Sequence, residues 1–236
     1  MAKDLPIDLR IVEILAKATI KNLIDGIVEL VTNSDDSYRR LEENGIYREG
    51  KISICVCREK GGLCKRLVVE DFAEGMSGEE LNKAIIFGVE ASGIAEGRSV
   101  RGLFGRGLKE TIIALGQGEI ISNKNGRVTK TRLWLDKEKR RPLYDDEMLS
   151  KKETSREPNG TKVDVCVTNE KIKLPELETF KSQLFNHFAL RDISSSNNRI
   201  IILNFEDSFK LGDWVRINDW EGRVAHPMRQ HRVGSR

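Results

Sequence analysis

Apolar residues along the chain change period several times, and each change marks an element. Over Leu9–Leu41 they recur every three to four residues, with Leu23, Ile27, Leu30 and Val31 on one side, which predicts a helical tract broken near Thr19. Lys51–Arg58 and Cys64–Glu70 alternate as strands do, and Gly61-Gly62 between them predicts a hairpin. Ser77 followed by Glu79 and Glu80 opens a helix expected to run to about Phe87. Residues 88–101 are rich in glycine and serine without a period and are expected to form a mobile loop, and helix returns over Gly107–Leu115. Strands are then predicted over Glu119–Asn123, Val128–Leu135, Thr161–Thr168 and Arg199–Phe205, with a helix over Leu174–Leu190 before the last. Hairpins dominate the strand connections. The expected fold is therefore α+β, a mixed and mainly antiparallel sheet with helices on one face.

Composition narrows the class without naming a function. Of 236 residues, 39% are hydrophobic and 33% charged, as in an ordinary globular protein. No apolar run reaches the roughly 18–20 residues that span a bilayer, so no membrane partner is expected. The N-terminus MAKDLPIDLR lacks the apolar core of a secretory signal, and Cys55, Cys57, Cys64 and Cys166 show no C-x-x-C spacing. Reduced thiols in a cytoplasmic protein are the expectation. A net charge of +3 is too small to argue for nucleic acid. Local basic groups at Lys137–Arg141, Lys151-Lys152 and Arg223, Arg229, Arg232 and Arg236 read first as solvated loop and terminus, and second as a phosphate-backbone surface.

Three short stretches carry candidate chemistry. The first is Glu29-Leu-Val-Thr-Asn33-Ser-Asp-Asp36-Ser37 on a helix. Residues four apart on a helix differ by about 40° and residues seven apart by about 20° the other way, so Glu29, Asn33 and Asp36 share one stripe at the rim of the core. The second, Asp71-Phe-Ala-Glu-Gly75-Met76, follows a strand, and a shielded carboxylate at a strand end suits recognition of an amino group. The third, Gly102-Leu-Phe-Gly105-Arg-Gly107-Leu108-Lys109, is a glycine-rich run into a helix, where free backbone N–H groups and the helix dipole favour phosphate. It is neither the dinucleotide fingerprint nor a Walker A loop.

In this order and spacing the stretches resemble the three ATP-binding motifs of the GHKL superfamily, which includes gyrase ATPase subunits, ninety-kilodalton heat-shock chaperones, histidine kinases and MutL and MORC proteins. The resemblance spans most of residues 10–170 and implies a Bergerat-type two-layer α/β sandwich that binds ATP with Mg²⁺. It makes Asn33 the Mg²⁺ ligand, Glu29 the general base, Asp36 a supporting polar residue and Asp71 the acceptor for the adenine amino group. Gly75 and Met76 then lie against the base, Gly102, Gly105, Gly107, Leu108 and Lys109 serve the phosphates, and residues 88–101 correspond to the ATP lid. Pro158-Asn-Gly160-Thr161 is a further match, with the Thr161 hydroxyl at the adenine site. The pattern departs from the family at Ala73, which stands where D-x-G-x-G has its first glycine. If that position needs positive φ, alanine costs roughly 1 kcal/mol or more and weakens nucleotide binding.

Two domains are expected, an ATP-binding domain over residues 1–198 and a terminal hairpin, or the start of a truncated second module, over 199–236. Leu211-Gly-Asp-Trp214-Val-Arg-Ile217 has the look of the opening strands of an SH3-like barrel. Few residues remain for the lysine-bearing second domain of gyrase- and MutL-like members, which predicts slow turnover by this chain alone. The implied function is a Mg²⁺-dependent ATPase whose lid closure drives homodimerisation, with a DNA or protein client. An ATP-sensing module that does not hydrolyse is the alternative. A histidine-kinase-like phosphotransferase stands behind it, disfavoured by Glu29 at a position where such kinases carry asparagine.

Overall fold

The computed structural model describes residues 8–87, 107–136, 138–151, 153–195 and 198–207, and the backbone of 210–216. Two helices open it, α1 (Arg10–Thr19) and α2 (Leu23–Glu43). Asn22 starts α2 with a capping box, accepting from the Asp25 N–H at 3.0 Å while Asp25 Oδ2 accepts from the Asn22 N–H at 3.2 Å. The strands β1 (Gly50–Glu59) and β2 (Leu63–Asp71) are joined by a tight turn in which Gly61 and Gly62 have φ of 79° and 74°. Helix α3 (Gly78–Ile85) has its own capping box at Ser77 and Glu80, and α4 spans Gly107–Leu115. There follow β3 (Gly116–Lys124), β4 (Arg127–Asp136), β5 (Arg141–Tyr144), α5 (Asp146–Ser150), β6 (Glu153–Thr154) and β7 (Gly160–Val167). Helices α6 (Leu177–Asn186) and α7 (Phe188–Ser194) precede β8 (Arg199–Asp207) and β9 (Lys210–Arg216).

One sheet runs through the described residues in the order β5-β4-β3-β7-β2-β1-β8-β9, with β6 pairing on β4. Every pairing is antiparallel except β1 with β8. The fold is thus the α+β sandwich expected. Alternation decides the buried face: Ile52, Ile54 and Val56 of β1, Leu67 and Val69 of β2, Val163, Val165 and Val167 of β7 and Ile201, Leu203 and Phe205 of β8 are all buried beneath the helices. On the opposite face Arg66 clasps Asp164 through Nε at 2.8 Å and Nη2 at 2.5 Å.

Two differences from the sequence reading have local causes. The helix expected over Leu174–Leu190 is two helices, because His187 takes an extended ψ of 119° between α6 and α7. The short β5, α5 and β6 escaped notice because four-, five- and two-residue elements carry no measurable period. In the tail, β8 and β9 form an antiparallel hairpin that extends the sheet beside β1.

Candidate functional site

The first two motifs meet at the end of β2. Asp71 is 6% exposed, and its carboxylate is held by three donors: Ser34 Oγ to Oδ2 at 2.9 Å, and the N–H groups of Ala73 and Thr161 to Oδ1 at 3.0 and 3.3 Å. Burial pushes its pKa up to about 6, against the opposing pull of the Ala73, Ser34 and Thr161 hydrogen bonds. A carboxylate offers about four lone-pair positions, so three protein donors leave Oδ2 able to accept one more hydrogen bond. An exocyclic amino group such as adenine carries fits that capacity.

Around Asp71 the backbone is held by hydroxyls. Tyr38, on α2, donates to the Lys51 carbonyl at 2.8 Å and accepts the Phe72 N–H at 3.0 Å. Ser122 of β3 accepts the Met76 N–H at 2.7 Å and lies 3.1 Å from the Gly160 carbonyl and 2.9 Å from the Thr161 hydroxyl. Ser122 has one proton; donation to Gly160 makes Thr161 its donor, so the Thr161 hydroxyl is committed within this chain of bonds. Gly75 is required here: its φ is 69°, and a Cβ would stand 1.9 Å from the Asn123 carbonyl oxygen. Ala73 is fully buried in the core and is not among the residues with positive φ, so the backbone strain feared for it does not arise.

The first and third motifs meet at the other end of the site. A Cβ on Gly107 would lie 2.1 Å from Glu29 Oε2, so the first turn of α4 rests directly on that carboxylate. Gly26, one turn earlier on α2, also faces α4, where a Cβ would stand 3.1 Å from Thr111 and 3.2 Å from Leu115. Glu29 is half-buried, and its pKa is raised by burial first, then by the negative charges of Glu110 and Asp25. Glu29 and Ser34 are separated by about 7–8 Å along α2, the span between the carboxylate at the α4 end and the anchor of Asp71.

The remaining predicted residues are placed unequally. Asn33 is exposed on α2, whereas Asp36 is buried, one of five consecutive buried residues from Ser34 to Tyr38. The stripe shared by Glu29, Asn33 and Asp36 therefore runs from half-buried through exposed to buried. Met76 and Leu108 pack on the core. Lys109, expected at the phosphates, is 1% exposed and donates to the Ala84 and Ile86 carbonyls at 2.9 and 2.6 Å, at the end of α3. Gly102 and Gly105 lie outside the described residues, as does the expected lid loop at 88–101.

Ser34, Tyr38 and Ser122 were missed. Ser34 and Ser122 had a signal in the sequence, a small polar residue at a position the period assigns to the interior. A buried ion cluster on α2 was missed too: Arg199 donates to Asp35 at 2.6 Å and to Glu42 at 2.6 and 3.1 Å, Arg39 donates to Asp35 at 2.8 Å, and the Arg199 guanidinium lies 5.0 Å from the Tyr38 ring. It joins residues 164 positions apart and has no local pattern.

Helix α2 thus joins Asp71, through Ser34, and Gly107, through Glu29, within one α+β sandwich. Residues 22–171 match the family described as histidine kinase-, DNA gyrase B-, and HSP90-like ATPase, and the chain belongs to that family. Residues 199–227 match a second description, the β-domain of mechanosensitive ion channels. That stretch is a small share of the chain and assigns no function. No curated protein matches the chain. Among the described residues no helix is long and apolar enough to cross a membrane.

Proposed function

We propose that this domain is a slow Mg²⁺-dependent ATPase in which Glu29 is the general base. The observation that carries the reading is the pair of contacts on α2: Ser34 anchors Asp71, and Glu29 lies against Gly107 with its proton affinity raised. A base of raised pKa takes the proton of an attacking water more readily. Asp71 accepts the adenine amino group, Gly75, Met76 and Thr161 line the base, and Asn33 holds the metal with Asp36 in support. The amides of Gly102, Gly105, Gly107 and Leu108 receive the phosphates. Mg²⁺, when bound, neutralises charge on the phosphates and orients them.

In this reading residues 88–101 are the lid, and its closing promotes homodimerisation through the N-terminal segment. Supporting that partner, α1 and its flank expose Leu9, Ile11, Ile14 and Leu15 by 52%, 45%, 61% and 39%. Exposed apolar clusters of this kind mark interaction surfaces. A DNA or protein client follows from likeness to MutL- and MORC-type members alone. The four free cysteines support a cytoplasmic setting, and residues 199–236 are proposed as an appendage to an ATP-binding domain over 1–198.

Glu29→Ala tests the reading. Wild type should bind Mg-ATP and turn it over below about 10 s⁻¹, the median for enzymes. The variant should bind within threefold of wild type with turnover abolished. Binding without turnover in the wild type would refute hydrolysis and favour the ATP-sensing alternative.

A further inference from the structure

A buried ammonium needs acceptors, and Lys109 finds two of them where α3 ends. Its Nζ donates to the Ala84 and Ile86 carbonyls and stands 5.4 Å from the centroid of the Phe87 ring. The Ala84 carbonyl belongs to the last turn of α3, where helix carbonyls lack partners along the helix and the dipole favours a cation, and Ile86 is the residue that ends the helix. Lys109 itself belongs to the first turn of α4, two residues after the glycine on which Glu29 rests. The rest of α4 is fixed by packing of Ile112, Ile113, Ala114 and Leu115. Packing is non-directional; a hydrogen-bonded ammonium fixes where the first turn stops.

We propose that Lys109 is a positioning residue, a strut between α3 and α4 that sets the first turn of α4 and, through Gly107, the place of Glu29. This rests on Glu29 acting as the base. Movement of Lys109 to a phosphate would break its bonds to the Ala84 and Ile86 carbonyls, and hydrogen bonds from a charged donor are stronger than neutral ones.

Lys109→Met keeps the length of the side chain and removes its donors. Three quantities decide: the Kd values for Mg-ATP and for adenosine by calorimetry, kcat, and amide exchange over Thr111–Leu115 in nucleotide-free protein. The strut predicts a Mg-ATP Kd within threefold of wild type, kcat down at least tenfold, and faster exchange before any nucleotide is added. Lys109→Arg, which keeps donors, should recover part of kcat. A Mg-ATP Kd weakened tenfold or more, with adenosine binding and nucleotide-free exchange unchanged, would overturn the strut and return Lys109 to the phosphates. If wild type shows no turnover, the assignment of Glu29 fails separately. Exchange then decides alone, faster exchange sustaining the strut and unchanged exchange overturning it. Should Lys109→Met not fold, Lys109→Gln is judged by the same criteria.

Discussion

Replacing Asp71 by asparagine exchanges one acceptor oxygen for a donor group while leaving the shape of the side chain intact. The Asn oxygen can still receive the Ala73 and Thr161 N–H groups that Oδ1 receives in the wild type. Its NH₂ then faces Ser34, whose hydroxyl turns from donor to acceptor. The protein should therefore fold. It should even be relieved of a burden, because a carboxyl titrating at about 6 instead of 3.8 costs the fold about 3 kcal/mol at neutral pH. The sign follows from the raised pKa: between about 6 and 3.8 the folded protein takes up the proton first, so wild type gains stability relative to Asp71→Asn as pH falls through that window. Binding moves the other way. An amino group meeting NH₂ instead of carboxylate loses a hydrogen bond to a charged group, about 1.5–3 kcal/mol or roughly 10- to 150-fold in Kd. Ionised Asp71 is also the form that accepts, so wild-type affinity for adenosine should fall about tenfold between pH 7 and pH 5. Calorimetric titration of adenosine and Mg-ATP at pH 7 and pH 5 measures both effects. An Asp71→Asn affinity within threefold of wild type at pH 7, or a wild-type affinity indifferent to pH, would refute Asp71 as the adenine acceptor.

Other parts of the structure yield further expectations. Gly75→Ala places a Cβ against the Asn123 carbonyl at positive φ, which should cost about 2–4 kcal/mol and lower the melting temperature by about 5–15 °C in calorimetry. Unchanged melting would mean that the β2–α3 turn differs from the one described. Arg199→Met leaves Asp35, 2% exposed, without that partner, and breaking such a buried pair costs about 3–5 kcal/mol by urea unfolding. Adding Asp35→Asn should return part of the loss; strict additivity would show that the two residues do not interact. Turnover should fall on acidification with an apparent pKa above the ordinary 4.5 of a glutamate, since burial and the charges of Glu110 and Asp25 hold the Glu29 proton. A pH profile flat down to pH 4.5 would remove Glu29 from the role of base.

Much of this protein was legible along the chain because the signals are local. Period and turn residues reveal α2, β1, β2, α4 and β7, since a helix or strand that buries one face must repeat its apolar residues at its own pitch. The order of Glu29, Asn33, Asp71, Gly75 and Gly107 suffices to suggest a nucleotide site. What the chain alone could not express is which side chains turn toward one another. Asp71 is anchored by Ser34 and Thr161, 37 and 90 positions away, and Arg199 reaches Asp35 across 164. Those pairings exist only once β2 lies beside β7 and α2 lies across the sheet. The environment of Ala73 and the direction taken by Lys109 were undecidable for the same reason. One depends on a local φ that the surrounding core enforces, and the other on two carbonyls made available where α3 ends. A sequence specifies the periods and the chemistry of its own neighbours; burial, shared protons and the partner of a charge belong to the packed structure, because they depend on distances that no spacing along the chain contains.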